Sequence, residues 1–250
     1  MNGDVMVTLS KLFITFIIYS FVGYIAEVIC VSVEFKKLTN RGFLCGPICP
    51  IYGIGAVLMG IFLKKYEHDA LALFCLGAIL ASIIEYMTGW VLEKVFHNKW
   101  WDYSKHKFNI NGRVCMSNAI LFGLGAVVVV MFVNPFISNL LSKISNKLII
   151  IVASITFLIF ILDLIYSWIV AFNLRHNIII VEDLKNSKIG NIPEKVEAVL
   201  SKQIKNIKRI PKRISQTFPK FIGNYKIEFD IINKLKKEKK EKDKKKKKNK

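Results

Sequence analysis

The sequence predicts an all-α polytopic integral membrane protein with five transmembrane helices, oriented N-out/C-in, followed by a basic cytoplasmic tail. Three observations carry this expectation. The chain of 250 residues is 53% hydrophobic and 12% aromatic, where a soluble domain holds about 45–50% apolar residues. Its apolar residues gather in five runs near 9–32, 46–63, 71–92, 115–134 and 148–172, and about 20 residues of helix cross a bilayer. Its charge is one-sided: residues 173–250 hold 24 of the 37 Lys and Arg against 9 acids, so the tail carries +15 of a net +19. We therefore expect a transmembrane domain over 1–175 and a tail over 176–250.

Orientation follows from Lys and Arg in short loops, which favour the cytoplasmic side. The first and third loops carry 3 and 5 and the tail 24, against 2 each in the second and fourth. Every comparison has the same sign, which places the chain in the cell membrane as a multi-pass protein with a cytoplasmic C-terminus.

The first run is expected to be retained as an anchor. Met1 to Ser10 carry Asp4 and no basic residue, the run is too long for a signal peptide, and no Ala-x-Ala site follows. The second run begins at Gly42-Phe43-Leu44-Cys45-Gly46-Pro47-Ile48-Cys49-Pro50. Two prolines three apart cannot lie within a helix without losing backbone hydrogen bonds. Two readings stand: a loop leading to a helix that starts at Pro50, which is favoured, or a re-entrant, half-broken segment lining a cavity. Ala56 and Gly60 then form a small-xxx-small pair for close helix contact.

The third run carries Ala78, Ala81, Ser82, Glu85, Thr88 and Gly89 on one helical stripe, with Ile79, Leu80, Ile83, Ile84, Met87 and Trp90 elsewhere. In the first run Ser20, Gly23, Tyr24 and Glu27 share a face; in the fifth, Thr156, Asp163, Tyr166 and Ser167 do. Acids inside a bilayer are costly and mark partners, cavities or substrates. We expect Glu27, Glu85 and Asp163 to turn toward a common centre, with Arg113 as a partner for Glu85 or Glu27 and Asn118 one turn into the fourth run. Trp100, Trp101 and Tyr103 sit beside basic residues, as interfacial anchors do.

Five cysteines (Cys30, Cys45, Cys49, Cys75, Cys115), an odd count without C-x-x-C, argue against a disulfide framework or a zinc site. Packing is the favoured reading of Cys45 and Cys49, over a redox pair. No metal site and no cofactor is expected. In the tail, residues 194–210 form a basic amphipathic segment suited to anionic lipid headgroups. Residues 234–250, almost all Lys and Glu, have the composition of a disordered end. Nucleic acid is disfavoured as a partner because aromatic interleaving is lacking.

Three segments together carry a resemblance: Asn40-Arg41-Gly42-Phe43-Leu44-Cys45-Gly46-Pro47; Glu85-Tyr86-Met87-Thr88-Gly89-Trp90 running on to Trp100-Trp101-Asp102-Tyr103-Ser104; and Asn111-Gly112-Arg113-Val114-Cys115. Over roughly residues 9–175 the chain resembles the CmpB-like family of multi-span membrane proteins, catalogued as putative ABC-transporter type IV or ABC transporter permeases. The matching positions are Glu27, Arg41, Gly42, Gly46, Pro47, Glu85, Gly89, Trp100, Trp101, Asp102, Tyr103, Gly112 and Arg113. The resemblance brings no catalytic residue with it.

Three functions are weighed in order. The first is a permease-like transporter component. The chain has no G-x-x-x-x-G-K-[ST], so any ATP hydrolysis by the P-loop route needs a separate ATPase subunit. The second is a structural or sensory membrane protein whose tail binds anionic lipid or a partner. The third is an intramembrane enzyme on a lipid-linked substrate, with Glu27, Glu85, Asp102 and Arg113 as its acids, base and phosphate clamp and with His97 and His106 nearby; it ranks last. A homo-oligomer is compatible with all three, because five helices enclose little volume.

Overall fold

The computed structural model describes residues 2–36, 42–96 and 99–186. Two compact units divide the chain, Met1–Ile169 and Val170–Lys250. The expected amphipathic segment 194–210 and Lys-rich end 234–250 lie outside the described residues, as do Arg41 and His97.

The described chain is almost entirely helical: α1 (Asn2–Phe35), α2 (Pro50–Phe62), α3 (Ala70–Phe96), α4 (Met116–Val128), α5 (Asn134–Ser142) and α6 (Asn146–Asn186). A two-stranded hairpin, β1 (Asn109–Ile110) and β2 (Val114–Cys115), precedes α4. Among the described residues, four stretches are long and apolar enough to cross a membrane: Gly3–Val33, Ala70–Phe96, Met116–Ser142 and Asn146–Phe172. The run near 46–63 takes another form. Its helix α2 has 13 residues and rises about 20 Å, short of an apolar core of about 30 Å.

The rest of that run is non-helical, with bends at residues 43–47. Cys49 is in the β region, Pro50 opens α2, and Cys49 N–H donates to the carbonyl of Ser20, midway along α1, at 2.9 Å. So α2 begins alongside the middle of α1 and runs from there toward the α1 N-terminus, where Gly53 fits against Phe16 and Ser20. The start at Pro50 agrees with the loop reading, and that loop lies beside the middle of a spanning helix.

Four backbone donors of this lead-in have identified acceptors. Cys45 N–H and Gly46 N–H donate to the Asp163 carboxylate at 2.9 and 2.7 Å. Ile48 N–H donates to Gly46 O at 2.8 Å and Cys49 N–H to Ser20 O. Pro47 and Pro50 have no N–H to satisfy. Unwound backbone at membrane depth must be satisfied by protein, and from Cys45 to Cys49 it is.

The fourth run continues beyond 134. Residues Val129–Val133 form a single π-helical turn between α4 and α5. The cause is Pro135, which lacks an N–H and would collide with the carbonyl four residues back; a π turn just ahead of it removes the clash. The helix therefore reaches Ser142. Asn134, in this widened stretch, accepts from Tyr19 Oη at 2.5 Å and packs on Gly60.

Close helix contacts run through small residues. A Cβ on Gly77 would overlap Ala126, and one on Gly123 would come within 2.8 Å of the Phe74 carbonyl oxygen. Around these sits a core of Met59, Leu63, Leu73, Ala81, Ala126 and Val130, and a second of Tyr19, Ala56, Ile137 and Leu141. Ile79, Ile83, Met87, Leu121, Leu124, Leu158 and Leu162 are exposed, as a hydrocarbon solvent allows. Helix α6 joins α1 through edge-on phenyl rings, Phe13 with Phe157 and Phe16 with Phe160, at 5.4 Å in both pairs.

Candidate intramembrane polar site

Glu85 projects from α3 on the small-residue stripe, and it is buried together with Gly77 and Ala81. Two donors reach its Oε1: Tyr103 Oη at 3.1 Å and Asn118 Nδ2 at 3.3 Å. Its Oε2 is buried and has no hydrogen-bond partner among the described residues. An orphaned buried acceptor costs about 1–3 kcal/mol, and more when charged. On α1, Glu27 accepts from Tyr52 Oη at 2.6 Å, and Tyr52 stands in the first turn of α2. The two carboxylates are within electrostatic reach of each other.

Tyr103 arrives from the loop between α3 and α4, and the local sequence explains how. Asn111 and Gly112 both have positive φ, 53° and 70°, the pairing a type I′ turn demands. Arg113 N–H closes that turn on Ile110 O at 3.0 Å. A Cβ on Gly112 would strike the Asp102 and Ser104 side chains, so this position takes glycine for space as well as for φ. The turn then holds the chain before it: Tyr103 N–H donates to Gly112 O at 2.8 Å, and Trp101 Nε1 to Arg113 O at 2.8 Å. Asp102 accepts from the Ser104 backbone and hydroxyl at 3.1 and 2.5 Å. The Tyr103 phenol is pushed up from its usual value of 10.0, first by burial, then by the Glu85 carboxylate it faces, then by Glu27. It therefore stays a neutral donor at physiological pH.

Several expectations need correction. Arg113 pairs with neither Glu85 nor Glu27. It forks onto Glu93 Oε2 at 2.8 and 3.1 Å and lies over the Tyr86 ring at 5.2 Å. Glu93 is eight residues past Glu85, about 12 Å along the helix, and the hairpin sets Arg113 at that level. The Tyr103 hydroxyl points to Glu85. Trp101 is tied to the hairpin, and Gly89 lies under its ring at 3.1 Å from a would-be Cβ. Trp100 joins Phe43 and Phe96, with ring centroids 5.2 and 5.4 Å away, and Trp168 completes the cluster against Phe43 and Phe96. Tyr166 is exposed, so the inward face of α6 is Asp163 and Ser167.

Glu27, Glu85 and Asn118 thus come together with Tyr52 and Tyr103. Asp163 does different work: it binds the lead-in at Cys45 and Gly46, and Ser167 Oγ donates to it at 3.2 Å. A Cβ on Gly46 would sit 3.0 Å from its Oδ2, so glycine keeps this approach open. Gly42 is buried and Pro47 exposed at the two ends of the same segment. Sequence reasoning missed Tyr52 as the donor to Glu27, Glu93 as the partner of Arg113, and the Tyr19–Asn134 pair. Their signal was a polar residue within an apolar run at the depth of another. Among the described residues no cluster of three or more His, Cys, Asp or Glu is arranged to hold a metal ion.

No curated protein and no solved structure matches the chain. The model of one family, described as "Putative ABC-transporter type IV", matches residues 14–168, a stretch that contains α2 to α5, most of α1, most of the spanning part of α6 and every polar contact of the site. The chain belongs to that CmpB family, whose description is "Putative ABC-transporter type IV".

Proposed function

We propose that the protein is the membrane-embedded, permease-like component of a transporter driven by a separate ATPase subunit. The observation that carries this reading is the broken second span. Unwound backbone at Gly42–Cys49 leads into the half-length helix α2, beside the buried carboxylate of Glu85. Discontinuous helices with ionisable groups nearby are how transporters build binding sites near the bilayer midplane. In this reading the lead-in and α2 together make the fifth crossing. The N-terminus is then outside, and the loops after α1 and α3 and the basic tail are cytoplasmic, with the tail near anionic headgroups. An ATPase would dock on those loops.

A second reading draws on a specific observation. Glu27, Glu93 and Asp163 each bond to groups of the chain itself, as in a structural or sensory membrane protein whose acids only specify packing. Glu85, with one oxygen unspent, is where the readings part.

The test is affinity purification of the full chain from native membranes in mild detergent, followed by an ATPase assay. A stoichiometric P-loop ATPase should accompany the protein. Glu85→Gln should assemble normally with that subunit and lose substrate-stimulated turnover. Purification without any ATPase, with Glu85→Gln altered in stability relative to wild type, would favour the structural reading.

A further inference from the structure

We propose that the loop ahead of α4 is a lipid-recognition site: Phe108 and Ile110 insert among acyl chains at the edge of the bilayer, and Lys105 and Lys107 hold anionic phosphate headgroups beside them. The argument starts from depth. Along α3 the exposed large apolar side chains end with Trp90 and Val91, and Glu93 and Lys94 follow, so the hydrocarbon boundary falls near this turn. The hairpin is tied to that level. Arg113 forks onto Glu93, Asn111 Nδ2 donates to Tyr86 Oη at 3.0 Å, and β2 leads directly into the spanning helix α4.

At that level the loop turns apolar side chains outward. Phe108 is 79% exposed, more than any other large apolar side chain among the described residues, and Ile110 is 59% exposed. The Phe108 backbone has φ 52°, a left-handed conformation that suits Asn and is rare for a bulky residue. Its neighbours hold it there. Asn109 Nδ2 donates to His106 O at 2.8 Å, and Asn109 Oδ1 accepts Gly112 N–H at 3.0 Å. A braced loop thus presents the phenyl ring, and strained backbone of this kind persists where a site uses it. The tryptophans expected at the boundary are engaged elsewhere, Trp100 with Phe43 and Phe96, and Trp101 with the hairpin.

Charge selects the lipid. Between Lys99 and Cys115 the one acid is Asp102, which accepts from Ser104 and lies 3.9 Å from Lys99. Lys105 and Lys107 are exposed, and neither pairs with an acid among the described residues. Ammonium groups flanking inserted apolar side chains match anionic phosphate over acyl chains. The inference stands apart from the transporter reading, since lipid contact is read without any transport.

The test uses the full chain with Cys30, Cys45, Cys49 and Cys75 replaced by Ser, the buried Cys115 kept, and a nitroxide on Ile110→Cys. It is reconstituted into vesicles of phosphatidylcholine, with or without phosphatidylglycerol. Collisions with oxygen, which concentrates among acyl chains, are compared with collisions with a neutral nickel chelate, which stays in water. A nitroxide on His68→Cys, whose native side chain is 95% exposed, gives the aqueous reference. Nickel collisions at 110 should be several-fold below those at 68, and phosphatidylglycerol should lower them further. Phe108→Asn, which suits the left-handed backbone and so keeps the loop, should raise them in both vesicles. Lys105→Gln with Lys107→Gln should abolish the phosphatidylglycerol effect. Nickel collisions at 110 equal to those at 68 would put the loop in water, leave the patch to a protein partner and overturn the proposal. Insertion indifferent both to phosphatidylglycerol and to the lysine changes would overturn it as well, because a neutral interface would then suffice.

Discussion

Replacing Asp163 by Asn would test whether an acid in a spanning helix works as a cap for unwound backbone. The carboxylate accepts Gly46 N–H at 2.7 Å, Cys45 N–H at 2.9 Å and Ser167 Oγ–H at 3.2 Å. Asparagine offers one oxygen, and its NH₂ would face an N–H. One backbone donor is then orphaned at depth and the remaining bond loses its charge. Hydrogen bonds to charged groups contribute about 1.5–3 kcal/mol, and an orphaned buried donor costs about 1–3. We expect about 2–4 kcal/mol of destabilisation, confined to the lead-in. At about 1.4 kcal/mol per decade, local opening becomes about 30- to 700-fold more frequent. Cys49 reports that opening. With the other four cysteines replaced by Ser, its maleimide labelling rate should rise by that factor in Asp163→Asn. Tyr166→Phe, exposed on the same helix, should leave the rate unchanged. Gly46→Ala, whose Cβ crowds Oδ2 at 3.0 Å, should raise the rate alone and add little to Asp163→Asn, since both break one interaction. An Asp163→Asn rate equal to that of Tyr166→Phe would refute the capping argument.

Other outcomes follow from the same geometry. Gly123→Val should part α3 from α4 against the Phe74 carbonyl at 2.8 Å and lower the melting temperature in detergent by an overpacking cost of about 1–3 kcal/mol; Gly125→Ala, with open space around it, should not. Arg113→Lys should lose the fork onto Glu93, a loss of about 1–3 kcal/mol, read as faster proteolysis within residues 99–115. For Tyr103 the sign is set by its raised phenol pKa. The folded state holds the proton after the unfolded chain has released it, so this contribution is intact below pH 10 and is lost as pH rises further. Thermal stability should fall less steeply above pH 10 in Tyr103→Phe than in wild type.

Much of this was legible in the chain. The α3 stripe placed Glu85 inward because Ala, Ser and Gly recurred every three or four residues, and Ile79, Ile83 and Met87 are indeed exposed. Pro47 and Pro50 pointed to a loop ahead of a helix that starts at Pro50, as observed. The local pattern could not tell how long the helix after them would be, nor that Asp163, more than a hundred residues away, would supply its cap. Long-range partners of this kind carry no local signature. Arg113 was misassigned for a similar reason: sequence gave its charge, while the type I′ turn at Asn111-Gly112 fixes its height along α3. The Tyr166 error came from angular tolerance. Residues 163, 166 and 167 share a broad sector, and only the packing of Phe157, Phe160 and Trp168 decides which edge of it faces protein.

A disulfide-trapping measurement reaches the central arrangement, in which the unwound segment lies against the middle of α6. Native Cys45 Sγ is 3.9 Å from Ser167 Oγ. In a chain whose Cys30, Cys49, Cys75 and Cys115 are replaced by Ser, Ser167→Cys should cross-link to Cys45 in native membranes on mild oxidation, and Tyr166→Cys should not. Cross-linking at Tyr166→Cys but not at Ser167→Cys would place the lead-in on another face of α6 and contradict the account.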